Sequence, residues 1–76
     1  MYTIRLLISN AEELAQLNKA IHWAETTIPN QYGWRELYDK WFYPYTYAVD
    51  FTDKDHMLLF KLMLTGITIQ GYKDNP

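Results

Sequence analysis

Residues 41–64 read WFYPYTYAVDFTDKDHMLLFKLML, and this stretch is the densest run of large apolar side chains in the chain. From Tyr43 to Phe51, aromatic or β-branched side chains occupy every second position. Successive side chains of a strand point to opposite faces, so this alternation predicts a strand with two unlike faces. Val49 and Phe51 indicate that the face they share with the tyrosines is buried at least at its far end, but the sequence does not decide which face of the whole strand is exposed.

A helix is predicted directly after this strand. Thr52 is a suitable N-cap, and Asp53 and Asp55 fall in the first turn, where carboxylates favour the helix dipole. Gly66 is placed where a helix would end. The stripe expected in the core consists of Leu58, Leu59, Leu62 and Met63, widened by Met57 and Phe60.

The N-terminal part predicts a strand followed by a long helix. Tyr2 to Ile8 alternates in the manner of a strand, and Asn10 is the expected N-cap of the helix. Pro29 excludes the α conformation for Ile28 and ends the helix there. The apolar residues at helical spacing are Leu14, Leu17, Ile21, Ala24 and Ile28.

The remaining segments complete the predicted order β-α-α-β-α-β. After a loop at residues 29–33, the apolar spacing over Trp34–Trp41 predicts a short second helix. Ile67 to Tyr72 is a possible last strand, parallel or antiparallel, followed by a polar tail at residues 73–76. The predicted fold is a single α+β domain over residues 1–76, with a single-layer sheet of about three strands and helices packed on one face.

Composition excludes several classes of function. The net charge of −2 supplies no basic patch for nucleic acid, and no cysteine is available for a disulfide or a nucleophile. The longest apolar run is interrupted by Lys61 and is too short to span a bilayer. Met1 leads directly into a strand pattern without a signal-peptide n-region. We therefore expect a soluble, cytoplasmic protein that binds neither nucleic acid nor membrane.

Two groups of side chains were considered for chemistry. His22 and Glu25 lie three residues apart but lack a third partner for a metal or for general-base catalysis. Asp53, Asp55 and His56 supply three possible metal ligands, although acidic residues in a first turn are ordinary capping chemistry. We expect no catalytic residue, no metal, no cofactor and no small-molecule substrate, so the protein is predicted not to be an enzyme.

The aromatic residues of the middle segment exceed what a domain of this size can bury. Tyrosine and tryptophan near a surface are typical of interface hot spots. The sequence therefore predicts a partner-binding surface in this segment. Its predicted residues are Tyr32, Trp34, Tyr38, Trp41, Tyr43 and Tyr45.

The segment Val49 to Gly66, VDFTDKDHMLLFKLMLTG, resembles a stretch of very small accessory proteins of tailed bacteriophages. In those proteins a strand that ends in an aromatic residue leads through an acidic turn into a helix of the form LLFKL. The positions that match are Phe51, Asp53, Asp55, Leu58, Leu59, Phe60, Lys61 and Leu62. The resemblance covers about a quarter of the chain and implies a role in host takeover or anti-defence, in the host cell cytoplasm.

The aromatic segment predicts a non-enzymatic protein that binds another protein. The resemblance implies a phage-encoded inhibitor that acts by occluding a surface of a host or defence protein. The alternative is a structural homo-oligomer whose aromatic segment forms the subunit interface.

Overall fold

The computed structural model describes residues 1–38 and 41–74. Within them the chain forms one antiparallel sheet of four strands and two helices. The elements are β1 (Tyr2–Ile8), α1 (Ala11–Thr27), β2 (Tyr32–Glu36), β3 (Tyr45–Phe51), α2 (Lys54–Leu62) and β4 (Thr68–Asp74). The strand order in the sheet is β2-β3-β1-β4. This connectivity is the split β-α-β arrangement of the ferredoxin-like superfold, a scaffold that hosts many unrelated functions.

Helix α1 begins and ends as its local sequence predicts. The Asn10 side chain caps it by accepting a hydrogen bond from the Glu13 N–H at 2.9 Å. The Glu13 carboxylate in turn accepts from the Ser9 N–H at 2.7 Å, one residue earlier than in a standard capping box. At the other end the Ile28 N–H donates to the Ala24 carbonyl at 2.8 Å, and Pro29 follows.

The core lies between one face of the sheet and the two helices. In the central pair of strands, Ile4 is opposite Val49 and Tyr2 is opposite Phe51. The prediction that the tyrosine face of β3 is buried at its far end is confirmed, because Val49 and Phe51 lie in the core. Tyr45 and Tyr47 also pack against the core, so the whole of this face is the inner one. The buried cluster comprises Ile4, Leu6, Ile8, Leu17, Ala20, Ala24, Ile28, Val49, Phe51, Met57, Phe60, Leu64 and Ile67.

The helix predicted over Trp34–Trp41 is wrong. Tyr32–Glu36 is a strand that pairs with β3, with Trp34 opposite Val49. Helical spacing of large residues occurred by chance in a segment whose structure is set by a distant partner strand. After β2 the chain is irregular at residues 37, 38 and 41–44, and the Tyr43–Pro44 peptide bond is cis. Residues 39 and 40 of the predicted helix lie outside the described part of the chain.

The predicted inner stripe of α2 is wrong for Leu58, Leu59, Leu62 and Met63, which are exposed, and correct for Met57 and Phe60, the residues predicted to widen it. Phe60 contacts Phe51, with ring centroids 5.1 Å apart, and this contact fixes which side of the helix faces the sheet. The cap is also one residue later than predicted, since the Asp53 side chain, rather than Thr52, accepts from the Asp55 N–H at 2.8 Å.

The strand count and the last strand differ from the prediction in detail. The sheet has four strands rather than about three, and the order is β-α-β-β-α-β rather than β-α-α-β-α-β. Strand β4 is antiparallel to β1 and extends to Asp74, beyond the predicted end at Tyr72. The part of the predicted tail at residues 75 and 76 lies outside the described residues.

Candidate functional site

Two apolar surfaces are exposed on this fold. We call the first the aromatic loop, which consists of Tyr38, Trp41, Phe42 and Tyr43 in the β2–β3 connection. Trp41 is 90% exposed, close to the value for a free side chain. We call the second the outer face of α2, which consists of Leu58, Leu59, Leu62 and Met63. Monomeric proteins rarely expose apolar groups at this density unless they serve an interaction.

A row of rings connects the aromatic loop to the body of the protein. Tyr43 contacts Tyr45 with ring centroids 4.7 Å apart, and Tyr45 contacts Tyr47 edge-on at 6.5 Å. Tyr47 then contacts Trp34 at 6.0 Å. Aromatic pairs at these separations attract one another beyond the area they bury. The row therefore gives one end of the loop a defined position next to the sheet.

The six residues predicted to bind a partner have different surroundings. Trp34, Tyr38, Trp41 and Tyr43 are exposed. Tyr32 and Tyr45 are partly buried and pack against the hydrophobic core. The first group is available to a partner, whereas the second mainly supports the fold beneath it.

Two tyrosine hydroxyls report the apolar character of this region. Burial raises the pKa of Tyr47, and the nearby charges of Glu36, Tyr45 and Tyr43 raise it further. Burial likewise raises the pKa of Tyr32, with a smaller contribution from Glu25. In both cases the environment disfavours the phenolate, as expected for partly buried hydroxyl groups near carboxylates.

The aromatic loop and the end of α2 leave the sheet at the same end. Strand β2 runs toward Glu36, which is opposite Tyr47, and β3 begins nearby at Tyr45 opposite Ile8. Helix α2 ends at Leu62, and the strand that follows starts at Thr68 opposite Leu7, again beside Ile8. A single partner approaching this end of the molecule would meet both exposed apolar surfaces.

The sheet face that the helices leave uncovered has a polar cluster. The Arg35 guanidinium forms an ion pair with the Asp50 carboxylate, which also accepts a hydrogen bond from the Thr3 hydroxyl. Arg5 and Arg35 lie on either side of Ala48, which is buried between them. The carboxylate of Asp50 is thus engaged by two donors, as is typical of a structural contact across three strands.

Asp53 and His22, two of the possible metal ligands, contribute to hydrogen bonds of the helices. One carboxylate oxygen of Asp53 caps α2, and the Nδ1 atom of His56 is buried without a hydrogen-bond partner. His22 contributes its backbone carbonyl, which accepts from the Thr26 hydroxyl at 2.8 Å. Among residues 1–38 and 41–74 no group of three or more side chains of the metal-binding types is arranged to hold an ion.

The outer face of α2 and Phe42 are not among the partner-binding residues predicted from the sequence. The available signal was a second apolar stripe on α2. Met57, Phe60 and Leu64 recur at intervals of three and four, and this stripe alone can fill the core. A helix with two apolar stripes and one sheet to cover has apolar residues left for another contact.

No family model matches the chain, and neither a curated protein nor a solved structure shows significant similarity to it. Neither α1 nor α2 is long and apolar enough to cross a bilayer.

Proposed function

We propose that this protein acts by binding another protein through the aromatic loop, with the outer face of α2 extending the contact. The observation that carries the proposal is the exposure of large apolar side chains at one end of the sheet, above all Trp41 at 90%. Tryptophan, tyrosine, phenylalanine and methionine are the types enriched in protein interfaces.

The arrangement of the loop suits a binding role. The Tyr43 ring contacts the Tyr45 ring in a tilted arrangement, and Tyr45 packs against the core, so the loop is tied to the fold at that point. An anchored loop loses less conformational freedom on association than a free one, and this preorganisation favours affinity. Trp41 and Phe42, beyond the anchor, are then the residues that enter a pocket of the partner.

The proposed mechanism is occlusion of a partner surface, without chemistry. The resemblance of Val49–Gly66 to small phage accessory proteins favours a host or defence protein as the partner, in the cytoplasm of a bacterial cell. Asp50 and Asp53 are already engaged by other groups of the protein, which leaves them structural roles.

Affinity capture from bacterial lysate tests the proposal when it compares four immobilised proteins. These are the wild type, a loop variant (Trp41→Ala with Phe42→Ala), a helix variant (Leu59→Ala with Leu62→Ala) and a control on the exposed side of α1 (Glu12→Ala). Hot-spot side chains typically contribute about 2 kcal/mol or more to binding, so the loop variant should lose captured protein by more than about tenfold.

The control should capture the same protein as the wild type, and the helix variant should show an intermediate loss. All four proteins should have similar melting temperatures, because the changed side chains lie outside the core. Equal capture by the loop variant and the wild type would contradict the proposal.

A further inference from the structure

The outer edge of β2 has unpaired backbone groups at every second residue. Strand β2 is at the end of the sheet and pairs only with β3. The Leu37 N–H donates to the Thr46 carbonyl at 2.9 Å and the Thr52 N–H donates to the Gln31 carbonyl at 3.1 Å. These bonds show that odd-numbered residues of this strand face β3. The N–H and C=O groups of Tyr32, Trp34 and Glu36 therefore point outward.

This edge lacks two of the features by which proteins usually protect a strand from pairing, a proline and a β-bulge. Charged side chains pointing inward, prolines, bulges and covering segments are the common protections. Strand β2, with the sequence YGWRE, has neither a proline nor a register irregularity. The strand at the opposite edge, β4, has a register irregularity, because its pairing with β1 shifts between Arg5 and Leu6. Among the described residues no backbone group pairs with the outward groups of β2.

We propose that a second copy of this chain pairs with the β2 edge, antiparallel and about a two-fold axis at Trp34. Each copy supplies the same outward groups, so in this register every one of them finds its complement. Trp34 meets Trp34 of the second copy, and Tyr32 meets Glu36 of the second copy. The two four-stranded sheets then become one continuous sheet, a mode of association that relies on main-chain hydrogen bonds.

Charge selects this register over its neighbour. A shift that puts the two-fold axis at Arg35 would place two guanidinium groups directly opposite each other, which is destabilising in a sheet. With the axis at Trp34, Arg35 is instead opposite Gly33, beside which even an added Cβ would meet nothing within 4 Å. The carboxylate of Glu36 is opposite the Tyr32 ring rather than another acid.

Side chains at the edge also favour the pairing. Trp34 is 51% exposed, and the two-fold axis would bring its free surface against its symmetry mate. At the other end of β2 lies an open cavity of about 220 Å³, lined in part by Asn30, Gln31, Tyr32 and Phe51. Antiparallel pairing brings the exposed Tyr38 of each copy to the end of β2 where this cavity of the other copy lies.

This inference does not depend on the proposed function. Tyr38 of the aromatic loop lies at the dimer contact, whereas Trp41, Phe42 and the outer face of α2 take no part in the strand pairing. A dimer would therefore present Trp41 and Phe42 twice, once at each end. Two linked copies of a binding surface raise avidity when the partner is itself multimeric. Dimer formation is measured by sedimentation and partner binding by affinity capture. A failure of the dimer proposal therefore does not decide the proposed function, and the reverse also holds.

Sedimentation equilibrium from micromolar to millimolar concentration tests the pairing with two variants of one residue. Glu36→Pro removes an outward N–H from each copy and leaves the hydrogen bonds to β3 intact, since a proline is tolerated where the N–H faces away from the sheet. Glu36→Ala removes the same side chain but keeps the N–H. We expect the wild type to form a dimer of 9.1 kDa chains. Glu36→Pro should raise the dissociation constant of the dimer at least about tenfold, or about 1.4 kcal/mol, whereas Glu36→Ala should not.

Single cysteines give a second test that does not rely on a change in affinity, because the chain has no cysteine of its own. Under mild oxidation Trp34→Cys should form a disulfide-linked dimer, since residues directly opposite in a hydrogen-bonded pair have Cα atoms about 5.5 Å apart. Glu36→Cys should not, because its symmetry mate is four residues away along the partner strand. Any of three results would overturn the proposal. The first is a wild type that stays monomeric at millimolar concentration, and the second is an equal dissociation constant for the proline and alanine variants. The third is equal cross-linking at positions 34 and 36.

Discussion

Phe60 and Leu59 are neighbours in one helix, and their surroundings are opposite. Phe60 is fully buried against Phe51, whereas Leu59 is 50% exposed. The same contrast separates Phe51, in the core, from Phe42, in the aromatic loop. Apolar character therefore does not indicate burial in this protein. The sheet and its two helices bury one apolar group, and a second group of the same residue types remains exposed, as is typical of interaction surfaces.

Removing an inner residue should have the largest effect. Phe60→Ala leaves a cavity between α2 and β3 and should lower the free energy of unfolding by about 3–5 kcal/mol. A chain of this size has only about that much stability to lose, so most of the population should be unfolded at room temperature. Chemical denaturation followed by circular dichroism measures the effect. A cooperative transition at the wild-type midpoint would contradict the assignment of Phe60 to the core.

Tyr32 is intermediate between the buried and the exposed apolar residues, because it is partly buried against the core. Because Tyr32 is one of the partner-binding residues predicted from the sequence, that prediction implies that Tyr32→Ala weakens partner binding and leaves the melting temperature unchanged. The structure shows Tyr32 packed against the core, so the substitution should instead lower stability by about 1–3 kcal/mol. Tyr32→Phe keeps the ring and should stay close to the wild type. Thermal unfolding of both variants separates the two expectations, and an unchanged midpoint for Tyr32→Ala would restore the first.

Alkaline pH should destabilise the fold through Tyr32 and Tyr47. Their raised pKa values mean that the folded state holds its phenol protons more tightly than the unfolded chain, whose tyrosines titrate near 10.0. Above that pH the unfolded state binds fewer protons, so the free energy of unfolding falls until the folded-state pKa values are passed. Below about pH 10 the contribution is fully present.

Urea denaturation at about pH 8 and about pH 11 measures this loss. The double variant Tyr32→Phe with Tyr47→Phe should show a smaller decrease than the wild type over the same interval. Equal decreases would mean that other groups cause the alkaline sensitivity.

Leu59→Ala should have the smallest effect on stability. Surface substitutions usually change the free energy of unfolding by less than about 0.5 kcal/mol, and half of this side chain is already in contact with solvent. The comparison with Phe60→Ala, one residue away, isolates burial from position in the helix. A loss near that of Phe60→Ala would show that α2 is rotated from the orientation described above.

The elements predicted correctly from the sequence are those with local signals. The Asn10 cap and Pro29 bound α1, and alternation in β3 identified both the strand and the buried far end of one face. Strand β2 could not be found in this way, since it is short, its polar Glu36 shares a side with Trp34, and its structure depends on pairing with a segment later in the chain. The orientation of α2 depends on the contact between Phe60 and Phe51 across the turn, which helical periodicity alone does not specify.

The aromatic segment was recognised from its composition, but its division into supporting and exposed rings was not. Tyr45 and Trp41 are both aromatic residues close in sequence, yet one packs against the core and the other is almost fully exposed. Tyr45 is the first residue of β3, whereas Trp41 precedes the strand. Where a strand begins depends on its pairing in the sheet, which single residues do not specify.

Fluorescence quenching of Trp41 tests the proposed binding surface most directly. In a protein with Trp23→Phe and Trp34→Phe, Trp41 is the only tryptophan, and in the free state it should be quenched by acrylamide almost as readily as the free amino acid. The partner protein identified by affinity capture is then added at a saturating concentration. It should shift the Trp41 emission to shorter wavelength and lower the quenching constant several-fold, because hot-spot rings are desolvated in a complex. A complex that forms while Trp41 stays equally open to acrylamide would contradict the aromatic loop as the contact.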